Sequence, residues 1–244
     1  MTGKFIALEG IDGAGKTTLA REISDLSYPD LFAVEAVPEF RLPADPDGRY
    51  LFISRRQESL TSEYSAKLMK QAATMLWYSG DSTDLPPSFW VTLQASWFTA
   101  HSETVLRPAL EAGYNVIVDG WFYKFWSKLL AQGYRLEQLE TIFDGVRIPD
   151  FVVLMETDVG SVFDRRSTFQ PRELGMHAGY SRLSRETFIE YQERGLANLR
   201  EFGSRWNWRR FDLPPGEEVD VSAKRLRSVL QADPTSVDVP DAVL

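Results

Sequence analysis

At 244 residues and 43% hydrophobic content, the chain can enclose a sizeable core as one large or two small domains. A formal net charge of −8 argues against nonspecific binding to nucleic acid or to an anionic membrane. Zero cysteines exclude disulfides and cysteine metal sites, and no apolar run reaches the roughly 18 residues of a membrane helix. Together with an N-terminus that lacks a signal peptide's basic and apolar regions, this predicts a soluble, cytoplasmic protein with a small-molecule partner.

The apolar run Phe5–Leu8 reads as a strand, followed by a glycine-rich turn and a helix that starts at Lys16. Gly10-Ile11-Asp12-Gly13-Ala14-Gly15-Lys16-Thr17 matches the phosphate-binding loop pattern at every fixed position. The loop torsions let consecutive N–H groups from Gly10 through Thr18 point inward around phosphates, and the helix start adds its positive end. Lys16 can reach the β- and γ-phosphates, and the Thr17 hydroxyl can ligate Mg²⁺. Strand, loop and helix in this order distinguish the motif from a chance glycine-rich turn and predict nucleoside triphosphate binding.

Helical spacing continues over Lys16–Leu26, and Leu31–Val37 reads as a second strand stopped by Pro38. Glu39 then borders the crevice at the strands' carboxyl ends, or is a solvated loop glutamate. Residues 43–50 read as loop, Leu51–Trp77 mostly as helix, Ser79–Ser88 as a second loop and Phe89–Ala112 as a long, mainly buried helix. Trp97 and Phe98 on that helix are core residues or part of an acceptor pocket. Asn115–Asp119 is the clearest buried strand, ending in a carboxylate suited to Mg²⁺ or to accepting a proton, with helix capping as its plainer role.

Helices are expected over Phe122–Gln132 and Leu136–Val146, a strand over Phe151–Met155, and a helix capped by Asp158 and running to Arg166. Residues 167–185 carry glycines and, with Arg165 and Arg166 before them, a series of arginines including Arg172. A basic segment after a late strand is what a closing lid requires, because phosphoryl transfer needs charge neutralisation and exclusion of water. A helix over Glu186–Phe202, a strand over Trp206–Phe211 and a helix over Val219–Leu230 complete the pattern, with a loosely ordered tail from residue 233. Alternating strands and helices predict a single α/β domain over residues 1–232 with about five mostly parallel strands.

The opening F-I-A-L-E-G-I-D-G-A-G-K-T-T resembles thymidylate kinase, as do His101–Leu110, Val116–Asp119 and Pro149-Asp150-Phe151. The resemblance covers about residues 4–230 and is poor over an acceptor-side insertion at about 41–90. It implies the nucleoside-monophosphate kinase fold, a five-stranded parallel sheet wrapped by helices with an arginine-bearing lid. It also implies ATP and Mg²⁺ as cofactors and, commonly, a homodimer.

The departures bear on the acceptor. The family carries an aspartate–arginine pair on the long helix where this chain has Trp97-Phe98, and aspartate–arginine–aromatic where it has Asp119-Gly120-Trp121. Both arginines normally help hold the acceptor's phosphate, and charged hydrogen bonds are worth roughly 1.5–3 kcal/mol each. Their loss predicts a non-phosphorylated acceptor, a nucleoside or an amino sugar, whose hydroxyl Glu39 or Asp12 would hold. In this reading Thr17 and Asp119 serve Mg²⁺, and Arg165, Arg166 or Arg172 the transition-state charge. Trp97, Phe98, Trp121 and Tyr123 line the pocket. Two alternatives remain: a divergent monophosphate kinase in which Arg41, Arg49, Arg55 or Arg56 replaces the lost pair, and a nucleotide-binding module that transfers nothing.

Overall fold

The structure, a computed structural model, describes residues 2–28, 42, 46, 48–59, 61–78, 84–176, 179–180 and 182–231, with Tyr28 and Arg172 described by their backbone. Its strands are β1 (Phe5–Glu9), β2 (Leu26–Tyr28), β3 (Tyr50–Ile53), β4 (Asn115–Val118), β5 (Phe151–Thr157) and β6 (Arg209–Leu213). All pair in parallel in the order β2-β3-β4-β1-β5-β6. Strands covered on both faces need apolar side chains at successive positions, which is why F-I-A-L, N-V-I-V and F-V-V-L-M read as continuous runs.

One sheet face presents Phe5, Ala7, Leu51, Ile53, Val116 and Val118 to the larger part of the core. The other presents Ile6, Leu8, Phe52, Ile117, Val153 and Met155 to the smaller part. The helices are α1 (Lys16–Glu22), α2 (Glu63–Ala73), α3 (Pro87–His101), α4 (Arg107–Glu111), α5 (Tyr123–Ala131), α6 (Leu136–Ile142), α7 (Val159–Asp164), α8 (Arg185–Arg205) and α9 (Val219–Gln231). The smaller core is closed by Leu19 and Ile23, in and just after α1, and by Leu226 of α9. A π turn, Ser102–Leu106, joins α3 to α4 into nearly one rod. It immediately precedes the turn holding Pro108, whose ring excludes a regular backbone bond one turn back. Among the described residues no helix is long and apolar enough to cross a membrane.

The parallel α/β architecture agrees with expectation, with six strands among the described residues in place of about five. The region 51–77 differs: it opens with β3 and the turn after it, and only Glu63 onward is helical. Leu51-Phe52-Ile53 is a buried apolar run too short for periodicity to separate strand from helix. The helix after the loop ends at Glu22, because Leu26–Tyr28 forms an edge strand on β3. The last strand lies at Arg209–Leu213, three residues beyond the expected start. The strand expected over Leu31–Val37, Glu39 and the tail from residue 233 lie outside the described residues. Because every strand runs the same way, the carboxyl ends of β1, β3 and β4 share one edge, and the site is built there.

Candidate active site

The loop between β1 and α1 is shaped by its glycines. Gly13 has φ +78°, and a Cβ there would sit 2.8 Å from Val162 Cγ1 and 3.0 Å from Arg166 Cδ. Lys16 is buried, and its Nζ donates to the Gly10 carbonyl at 2.9 Å and the Ile11 carbonyl at 2.6 Å. Burial pulls this ammonium below its ordinary value, against the favourable charges of Asp12, Glu9 and Asp119.

At the end of β4, the Thr17 hydroxyl donates to Asp119 Oδ2 at 2.5 Å. Asp119 Oδ1 is buried without a hydrogen-bond partner, so the pair has one free anionic oxygen and one hydroxyl for a hard cation. Among the described residues no group of three His, Asp or Glu side chains converges for a metal. The Asp119 oxygen and the Thr17 hydroxyl suit Mg²⁺, which is commonly held by one or two protein oxygens together with phosphate oxygens and water. The residues present therefore fit a Mg²⁺–nucleotide.

Asp12 of the loop is a junction. Its Oδ1 accepts from Lys124 Nζ, and its Oδ2 lies 3.3 Å from Gln192 Nε2 and 3.9 Å from Lys128 Nζ. Its N–H donates to Gln192 Oε1 at 3.1 Å. Burial works to raise the Asp12 carboxyl, but Lys124, Lys128 and Lys16 together hold it well below the ordinary carboxylate range. Glu9, fully buried, accepts the Trp121 N–H at 2.7 Å; burial raises its carboxyl against the charges of Lys16, Arg55 and Lys124.

A cleft of about 550 Å³ opens beside the loop. Its basic lining is Arg55 and Arg56 from the turn after β3 and Lys124 and Lys128 from α5; Asp12 and Glu173 supply the carboxylates. Trp77, Tyr78, Trp90, Phe98, Trp121, Phe125 and Tyr191 are its aromatic walls. Arg55 Nη1 lies 3.0 Å from the point where a side chain on Gly120 would begin. The guanidinium thus fills the space beside Gly120.

Of the residues singled out from sequence, the structure gathers Lys16, Thr17, Asp119 and Asp12 at the strand ends and puts Phe98 and Trp121 on the cleft wall. Trp97 and Tyr123 are not on that wall. Trp97 is buried behind the Arg55 turn, and Tyr123 packs against Trp126, Trp206 and Trp208. Arg165 donates to the Gly13 carbonyl, and Arg166 pairs with Glu173 at 3.0 Å, its Cζ 4.7 Å from the centre of the Phe169 ring. Thr18 is exposed on α1. Sequence reading passed over Lys124 and Lys128, although two lysines four apart on an otherwise mainly apolar helix are a legible sign of a basic stripe.

No family model matches the chain. It is 30% identical over 215 residues to a thymidylate kinase from Synechococcus sp. (strain CC9605), covering 84% of this chain and 88% of that one. It is 29% identical over 194 residues to a probable thymidylate kinase from Thermococcus kodakarensis (strain ATCC BAA-918 / JCM 12380 / KOD1), covering 78% and 84%. A crystal structure of thymidylate kinase from Ehrlichia chaffeensis superposes with TM-score 0.60 at 15% identity over 95% of this chain and 100% of that one, a likeness of fold. With the loop, the parallel sheet and these relatives together, the chain belongs to the thymidylate kinase family and is a P-loop kinase, a phosphotransferase.

Proposed function

We propose that the protein transfers the γ-phosphate of ATP to the phosphate of a nucleoside monophosphate of the thymidylate type. The observation that most supports this is the Arg55 guanidinium beside Gly120. The case for a hydroxyl acceptor rested on missing cations at Phe98 and Gly120, and four cationic side chains line the cleft that Phe98 walls, one of them, Arg55, beside Gly120. The curated thymidylate kinase relatives weigh in the same direction.

Asp12 adds a second argument. A carboxylate already shared among two lysines and a glutamine, and held low by Lys124, Lys128 and Lys16, is poorly suited to take a proton from an alcohol. An acceptor phosphate arrives ionised and needs no base, only placement and charge stabilisation. Arg55, with Lys124 near it, would anchor that phosphate; the aromatic walls would take the planar base. The cleft volume is in the range usual for small-molecule sites.

ATP with Mg²⁺ is the family's phosphate donor, and the bound cation would draw the phosphate oxygens together and offset their charge. The loop amides and Lys16 would hold the β- and γ-phosphates, with Thr17 and Asp119 on the cation side. Arg165 and Arg166, which flank the loop at Gly13, and Arg172 are the candidates for charge that develops during transfer.

The test is ADP release with ATP and Mg²⁺ against dTMP, other nucleoside monophosphates, nucleosides and amino sugars, for the wild type and Arg55→Ala. Turnover with a nucleoside monophosphate is expected, with Arg55→Ala raising the acceptor KM at least about 10-fold and leaving the ATP KM unchanged. Turnover confined to nucleosides or amino sugars would instead establish the hydroxyl acceptor. ATP binding without transfer to any of them would establish a non-catalytic module.

A further inference from the structure

The turn that carries Arg55 and Arg56 is held from behind by α3. Trp97 Nε1 donates to the Arg55 carbonyl at 2.9 Å, and His101 Nε2 lies 3.2 Å from the Ser54 carbonyl. The two residues are one helical turn apart and almost fully buried, at 2% and 0% exposure. An indole has a single donor and no acceptor, so a buried Trp97 needs one carbonyl, and the Arg55 carbonyl supplies it. The same ring meets Trp77 edge-on at 5.1 Å between centroids, and the Arg56 guanidinium lies 5.4 Å from the Trp77 ring centre. One buried side chain therefore contacts the backbone of one cleft arginine and, through one intervening ring, the head of the next.

We infer that Trp97 is a positioning residue for the acceptor phosphate, fixing the β3 turn so that the Arg55 guanidinium is set beside Gly120 before the acceptor arrives. The inference rests on the monophosphate-acceptor reading above and extends it. In this chain the anionic acceptor would be met from the β3 turn, and the helix supplies the brace. The physical benefit is preorganisation: an arginine side chain carries many rotamers, and a fixed backbone origin reduces the freedom lost when it binds. Trp97 itself lines neither the cleft nor the loop, so its effect must pass through the β3 turn, whose Arg55 carbonyl it holds, or through the Trp77 ring.

The experiment compares wild type, Trp97→Phe, Arg55→Ala and the double variant, with KM for dTMP, KM for ATP and kcat as readouts. Trp97→Phe is expected to raise the acceptor KM by about 5–10-fold, as loss of one buried hydrogen bond would, with kcat within about 3-fold and the ATP KM unchanged. In the Arg55→Ala background the same change should have a much smaller effect, because of the two cleft arginines the brace then holds only Arg56. Should Trp97→Phe fold poorly, β-(3-benzothienyl)alanine at position 97 keeps the ring shape and removes only the N–H, and the same shift is expected.

An acceptor KM within about 2-fold of wild type for the benzothienyl variant would overturn the inference. So would a shift of equal size with and without Arg55, or a parallel change in both KM values and kcat. The wild-type acceptor panel separates the two failures. A wild type that phosphorylates no monophosphate ends both proposals, whereas a wild type that does so with an inert Trp97 change ends this one alone.

Discussion

Lys124 of α5 donates its ammonium to the Asp12 carboxylate of the phosphate-binding loop, tying the α5 wall of the cleft to the loop at a point where both side chains are largely buried. Burial and nearby cations pull Lys124 down to about 7 against the attraction of Asp12, which stays ionised among three lysines. Removing one partner of such a pair leaves a charge without its counter-ion. Lys124→Met should cost about 2–3 kcal/mol, below the 3–5 typical of fully buried pairs, since Lys128 remains 3.9 Å away. Asp12→Asn with Lys124→Met should recover part of that loss. Urea titrations of the wild type and the two variants check this, and a double variant less stable than Lys124→Met would contradict the assignment.

How much of this was legible in advance depends on the length and redundancy of the local signal. The loop was readable because its residue types and spacing are set by phosphate geometry, and Asn115–Asp119 because three β-branched or apolar positions end in a carboxylate. The β3 turn was not. Its four-residue strand gives no periodicity, and the side chains that fix the turn, Trp97 and His101, come from a helix more than 40 residues away in sequence. Reading Arg55 and Arg56 as helical hid their place at a strand end, and so weakened the monophosphate-kinase reading. Trp97 was visible as a large aromatic on a buried helix, but its one polar atom is what connects it to the site, and only tertiary structure supplies the partner.

His101 predicts an acid sensitivity. Burial lowers its imidazole from 6.5 to about 4, against the Ser54 carbonyl, which favours the protonated form; Nδ1 is buried without a partner. The unfolded chain takes up the proton near pH 6.5 and the folded chain does not until about 4. The stabilisation is therefore complete above pH 6.5 and is lost as pH falls through that window, by about 3 kcal/mol in all. His101→Gln keeps a donor for Ser54 and carries no titrating group. Its stability should fall less between pH 7 and pH 4.5 than the wild type's, as measured by denaturant titration at both values; parallel slopes would exclude His101 as the source.

Asp119→Asn isolates the metal assignment. The amide oxygen can still accept from Thr17, so the fold should hold with a melting temperature near that of the wild type. The free anionic oxygen is lost. If it meets the cation, turnover should fall about 10–100-fold and the Mg²⁺ concentration for half-maximal rate should rise. A Mg²⁺ titration of the rate decides the point, and an unchanged half-saturation would place the cation elsewhere.

Gly120→Ala tests the space occupied by Arg55. Position 120 has φ +115°, a backbone conformation that L side chains rarely adopt, and its Cβ would stand 3.0 Å from Arg55 Nη1 and 3.7 Å from Lys16 Cε. The first contact is tight enough to push the guanidinium aside, whereas the second is ordinary packing. The substitution should therefore cost about 1–3 kcal/mol in stability through the backbone and raise the acceptor KM through Arg55, with the ATP KM within about 2-fold. The two effects separate in the Arg55→Ala background: the stability cost persists because the φ strain remains, and the KM effect disappears because there is no guanidinium to displace. A KM change that survived the loss of Arg55 would mean that Gly120 itself, and not the arginine beside it, faces the acceptor.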